Sequence, residues 1–163
     1  MMDQLALYRV DPDVLDKILG TSLLADRELV EYIERRGRFV NDLFLDGKSV
    51  GKLLAALSTI LGIPLDALVH RTDLTLEPSG PVTWTSRIPE GTLTLLLKGL
   101  GRARRLLSDP SEDPGVANRL AQLAVDFGGA SQTANALHQI QRQLEAARGG
   151  KGDLVSVFTC WKL

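Results

Sequence analysis

The chain has 163 residues, of which 44% are hydrophobic, 5% aromatic and 24% charged, with 19 Lys and Arg against 20 Asp and Glu. That apolar fraction is too high for a disordered chain, and a domain of this length can bury a sizeable core. A formal net charge of −1 removes the positive field that non-specific nucleic-acid binding needs, and no apolar run reaches the ~18 residues of a membrane span.

The first residues, Met1-Met2-Asp3-Gln4, lack the basic and apolar regions of a secretory signal, and the single Cys160 cannot form an internal disulfide, so a cytoplasmic location is expected. Residues 4–10 are rich in Leu, Tyr and Val, and Asp11-Pro12-Asp13 follows at once. This predicts a strand running into a helix with Asp11 as N-cap and Pro12 in the first turn. Val14, Leu15, Ile18 and Leu19 share one helical face, and Gly20 stops it. A second helix is predicted over 26–36, with Leu29, Val30 and Ile33 as its apolar stripe. From 39 to 45 the apolar residues are dense but irregular, Asn41, Asp42, Asp46 and Gly47 add turn chemistry, and the stretch reads as a connector. Residues 49–61 place Val50, Leu53, Leu54, Leu57, Ile60 and Leu61 on one wide face, predicting a helix central to the core.

Residues 63–84 carry Pro64, Pro78, Gly80 and Pro81 and keep no helical period, so they read as a long loop with a short strand around 72–76. Pro89-Glu90 opens a helix running through Leu93, Leu95, Leu96, Leu97 and Leu100, which Gly99 and Gly101 weaken at its far end. An acidic, proline-punctuated loop over 108–115 precedes a helix over 116–127, and the longest clean helix is predicted over 131–148. Residues 153–163 alternate and are dominated by β-branched and aromatic side chains, the clearest strand in the chain. Because a lone strand leaves its backbone unpaired, the terminal strands are expected to pair with each other or with the middle-loop strand. The reading is a single α+β domain over 1–163, mostly helical, with a small sheet formed by the N- and C-terminal strands. The terminal strand also offers an edge for a homodimer, with Val155, Val157 and Trp161 on one face.

Gly149-Gly150-Lys151-Gly152 has the composition of a phosphate loop but follows a helix and precedes a strand, the reverse of the order that aims a helix N-terminus at an anion. It reads as an αβ turn. Cys160 sits in an alternating strand with His70 and His138 in other elements, so it reads as a packing residue, and the two histidines make no metal-ligand spacing. The sequence therefore identifies no catalytic residue, metal site or cofactor motif. Arg102, Arg104 and Arg105, with Lys98 a turn earlier, form the one basic cluster. Their reading as charge pairs with Asp109, Glu112 and Asp113 at a helix C-terminus is set beside anion binding. Asp42, Asp46, Asp73 and Glu77 are the loop acids from which a carboxylate pair could be drawn. Trp84, in a Pro/Gly-flanked loop, either plugs the core or marks a recognition surface. The candidate binding residues are Trp84, Arg102, Arg104 and Arg105.

The order of these signals resembles the YfbM-like domain of unknown function. Leu5-Ala6-Leu7-Tyr8-Arg9-Val10-Asp11-Pro12 is similar to that family's opening strand and helix, and Leu45-Asp46-Gly47-Lys48 before 53–61 to its aspartate–lysine segment. Trp84-Thr85-Ser86-Arg87-Ile88-Pro89-Glu90 is similar to its later helix start, and 134–161 to its last helix and strand. The tryptophan and histidine of the family's central helix are replaced here by residues near Val50, Gly51 and Leu54. The resemblance implies an α+β fold without established catalytic residues, and an association of such small bacterial domains with toxin-immunity loci.

The function expected is thus a non-enzymatic protein-binding domain of immunity type that neutralises a partner toxin. The rival is a small enzyme or a nucleotide- or anion-binding protein using the 73–105 region. The expected partner is a protein, not a membrane or nucleic acid, and the chain is read as monomer or homodimer.

Overall fold

The computed structural model describes residues 2–20, 26–46, 50–65, 68 and 82–161. Its centre is a four-stranded antiparallel sheet of β1 (Met2–Val10), β2 (Arg38–Asp46), β3 (Val82–Ile88) and β4 (Asp153–Trp161), in the order β2-β1-β4-β3. The two terminal strands pair with each other along their whole length, from Met2 opposite Trp161 to Val10 opposite Asp153. Alternation then sends Leu5, Leu7, Leu154 and Phe158 to one face and Ala6, Val10, Val155 and Val157 to the other. Both sets are buried, because both faces are covered.

Helices α1 (Pro12–Gly20) and α2 (Asp26–Arg36) lie on the second face, where Leu15, Leu29 and Ile33 close a small core over β1 and β4. Asp11 starts α1 as its sequence implies, its carboxylate accepting the Asp13 amide at 2.9 Å. Helices α3 (Val50–Leu61), α4 (Glu90–Ser108), α5 (Pro114–Val125) and α6 (Ala130–Ala146) cover the first face with the larger, leucine-rich core. The fold is α+β and mostly helical. No helix among the described residues is long and apolar enough to cross a membrane.

The connector read over 39–45 is instead strand β2. A bulge explains the difference: Leu7 pairs with Asn41 and Tyr8 with Phe39, so Val40 is an extra residue. It breaks the period-two pattern, which is why the apolar residues look irregular. The loop read through residue 84 gives way at Val82 to β3, whose Thr, Trp and Ile residues pair with β4 between Pro81 and Pro89. The short strand read at 72–76 lies outside the described residues. Because β4 sits between β1 and β3, its edges are both used and Val155 and Val157 are buried, which removes the dimer contact expected there. Helix α5 also begins earlier than read, with Asp113 as N-cap and Pro114 in the first position, repeating the Asp-Pro signature that opens α1.

Buried polar groups fasten the layers. Asp3 on β1 caps α3 from a distance, accepting the Val50 amide at 2.8 Å. Gln143 on α6 donates to the Leu5 carbonyl at 2.6 Å, and Asn41 on β2 donates to the Gln143 carbonyl at 3.1 Å. Arg9 is held where α6 ends: it donates to the Ala147 carbonyl, to the Gly152 carbonyl at 3.0 Å and to Glu90 Oε1 at 3.1 Å. The 149–152 turn therefore wraps a structural arginine. Gly152 there has φ +87° with the Val10 carbonyl oxygen 2.8 Å from where a Cβ would stand, so only glycine fits.

Candidate functional site

The arginine cluster separates by partner, because successive helical residues point in different directions. Arg102 turns toward the start of α5 and donates to Asp113 at 3.0 Å, while the other oxygen of Asp113 caps Val116 at 3.3 Å. Arg105 pairs loosely with Glu112 at 3.8 Å, both side chains mostly exposed. Asp109 takes no arginine among the described residues. Its carboxylate accepts the hydroxyl and amide of Ser111, which hold it below the ordinary aspartate range. Arg104 differs from its neighbours: its partner is a neutral amide, Gln141 Oε1 on α6, at 2.7 Å.

Arg104 and Arg105 line a cleft of about 470 Å³ between α4 and α6. Gly101 and Ser108 complete the α4 wall, and Ala134, Asn135, His138 and Gln141 form the α6 wall. None of these residues is acidic. His138, half-buried on α6, has Nδ1 shielded from solvent with no hydrogen-bond partner among the described residues. Trp84 stands on a different element, β3, opposite Phe158. The structure thus brings together two of the four sequence-derived binding residues, sends Arg102 to an acid and places Trp84 elsewhere.

A second feature lies on β2. Its inward side chains Val40, Leu43 and Leu45 pack against the leucine-rich core, but Phe39, Asp42 and Phe44 project to the face that α1 and α2 cover elsewhere. None of those three belongs to the small core, and each phenylalanine is 54% exposed. Phe39 meets Tyr8 edge-to-face with ring centroids 5.7 Å apart, and Phe44, opposite Gln4, stands on the same side of the strand further along it. Asp42 sits among them and accepts from Gln4 at 3.1 Å. Burial, then the carboxylates of Glu34 and Asp42, push the Tyr8 phenol up from its ordinary value. The sequence does not display this surface, because the bulge hides the strand. Counting Val40 and Asn41 as one position restores the alternation and places Phe39, Asp42 and Phe44 on one side.

Of the remaining candidates, Cys160 is in β4 opposite Asp3, while His70, Asp73 and Glu77 lie outside the described residues. Among the described residues no group of three or more His, Cys, Asp or Glu side chains is placed to hold a metal ion. Comparisons of the chain with models of protein families, with curated proteins and with solved structures find no match.

Proposed function

We propose that this chain is a non-enzymatic protein-binding domain that takes an extended segment of a partner protein onto the outer edge of β2. One observation carries the reading: among the described residues, a nine-residue strand at the end of the sheet holds two half-exposed phenylalanines on one face. Edge strands present unpaired backbone groups, and a strand added there gains main-chain hydrogen bonds while its alternate side chains cover whatever the edge exposes. The chemistry of the fitting segment follows from β2. Apolar side chains on one face would cover Phe39 and Phe44, with a Lys or Arg between them opposite Asp42. An immunity-type role, with a toxin as the partner, is the narrower form implied by the YfbM-like resemblance.

The test is titration of the isotope-labelled protein with a synthetic strand-forming peptide of alternating valine and threonine carrying one central lysine. Saturable amide shifts concentrated in 38–46 are expected, together with about fivefold weaker binding when the lysine is replaced by glutamate. Phe39→Ser with Phe44→Ser should abolish the shifts. Shifts centred on another element, equal binding of both peptides, or no binding of either would overturn the proposal.

A further inference from the structure

The cleft between α4 and α6 is separate from the β2 edge, and its chemistry points to a different ligand. We propose that it binds a phosphomonoester of sugar-phosphate to nucleoside-monophosphate size, with the phosphate on Arg104 and Arg105 and the hydroxyl-bearing body against Asn135 and Gln141. The charge distribution is the first reason. Arg102, two residues earlier and on another side of α4, has its charge compensated by Asp113, whereas Arg104 has no acidic partner among the described residues and is held by the neutral Gln141. A guanidinium fixed by one amide keeps further N–H donors in the planar arrangement that suits phosphate oxygens. Arg105 stands 3.8 Å from Glu112 in an exposed pair, an arrangement an incoming dianion can displace.

The second reason is the rest of the wall. No carboxylate is among the cleft's described lining residues, the nearest acid paired with them being Glu112 beside Arg105. His138 lines the α6 side, and the Asn135 and Gln141 amides offer donors and acceptors to hydroxyl groups. The volume, about 470 Å³, falls within the usual range for small-molecule sites and leaves room for more than a bare phosphate ion. Gly101 forms part of the α4 wall: a Cβ there would lie 3.6 Å from Gln141 Nε2 and 3.8 Å from Arg105 Nη1, so a larger side chain would occupy the space the ligand needs.

Calorimetric titration with inorganic phosphate, ribose, ribose 5-phosphate and adenosine monophosphate tests the proposal on the full chain. At least one of the two esters should bind about tenfold or more tightly than ribose, with inorganic phosphate competing and added salt weakening the interaction. Arg104→Gln should weaken ester binding at least tenfold, and Arg102→Gln should leave it within about twofold. Gly101→Leu removes no charge and should also block binding, which keeps the test decisive if Arg104→Gln fails to fold. Absence of saturable ester binding would overturn the proposal, as would ribose binding as tightly as its phosphate. So would an Arg102→Gln loss as large as that of Arg104→Gln, since attraction to general surface charge would then account for the binding.

Discussion

The two faces of the sheet are covered to different extents. On one, α3, α4, α5 and α6 bury β1, β4 and the inward side of β2 under a continuous set of leucines. On the other, α1 and α2 close a small core over β1 and β4 but leave Phe39, Asp42 and Phe44 of β2 in solvent. The same strand is therefore buried at Leu45 and half-buried at Val40, and half-exposed at Phe39 and Phe44. Among the described residues the first face is covered more fully than the second, and the less covered side is the one on which the proposed partner segment would lay its side chains.

The largest expected effect tests that asymmetry through the two cores. Leu100 and Leu15 are both buried, but Leu100 lies on α4 in the larger core, enclosed among helices, while Leu15 lies on the nine-residue α1 in the smaller one. Leu100→Ala should cost about 3–5 kcal/mol and Leu15→Ala about 2 kcal/mol. Denaturant midpoints at a common slope would show it, and equal costs would break the comparison. Next is Arg9, whose side chain is 2% exposed while that of its partner Glu90 is 62% exposed. Arg9→Met leaves the Ala147 and Gly152 carbonyls without their donor and should cost about 3 kcal/mol, whereas Glu90→Gln should cost under about 1 kcal/mol. If the two cost the same, the ion pair rather than the carbonyl contacts fastens the turn.

Smaller again is a pair of glycines on α4 that point to its two sides. A Cβ at Gly99 would stand 1.6 Å from Ile63 Cδ1 and 3.0 Å from Cγ1, inside the covered core, while at Gly101 it meets only ordinary contacts at 3.6 and 3.8 Å. Gly101→Ala should stabilise the protein by about 0.5–1 kcal/mol through helix propensity. Gly99→Ala must move the isoleucine and should destabilise it by about 1 kcal/mol. Thermal unfolding of both variants would read the opposite signs, and a gain at Gly99 would mean that the core there has slack.

Where one physical signal governs a segment, its sequence was legible. The leucine spacing of α3 and α4 and the alternation of β4 each reflect one repeating geometry, and Asp11-Pro12 is a local cap that acts on its own neighbours. β2 was not legible, because the inserted Val40 breaks the repeat and the strand exists only through pairing with β1. Asp3 capping α3 and Gln143 reaching the Leu5 carbonyl were equally hidden, since each partner is remote in sequence. In the cleft, Arg104 and Arg105 were found by composition. His138 and Gln141 were not singled out as binding residues, because only the packing of α6 on α4 brings them there.

The smallest effect concerns a single proton at the uncovered end of the sheet. Burial first, then the Glu34 and Asp42 carboxylates, raise the Tyr8 phenol above its ordinary value of about 10. A folded-state value above the unfolded one means that the folded protein holds this proton more tightly. The corresponding stabilisation is complete below about pH 10 and is lost as the pH rises through the folded value. In a Tyr32→Phe background the absorbance of the remaining phenolate follows Tyr8 alone. Asp42→Asn should bring its titration part of the way down, and Phe39→Ser, which uncovers the ring, should move it in the same direction. A peptide seated on β2 should drive it further up, because burial is the first cause of the shift. If the peptide binds while Tyr8 titrates unchanged, the segment lies away from Tyr8 and Phe39 and the edge of β2 is not its seat.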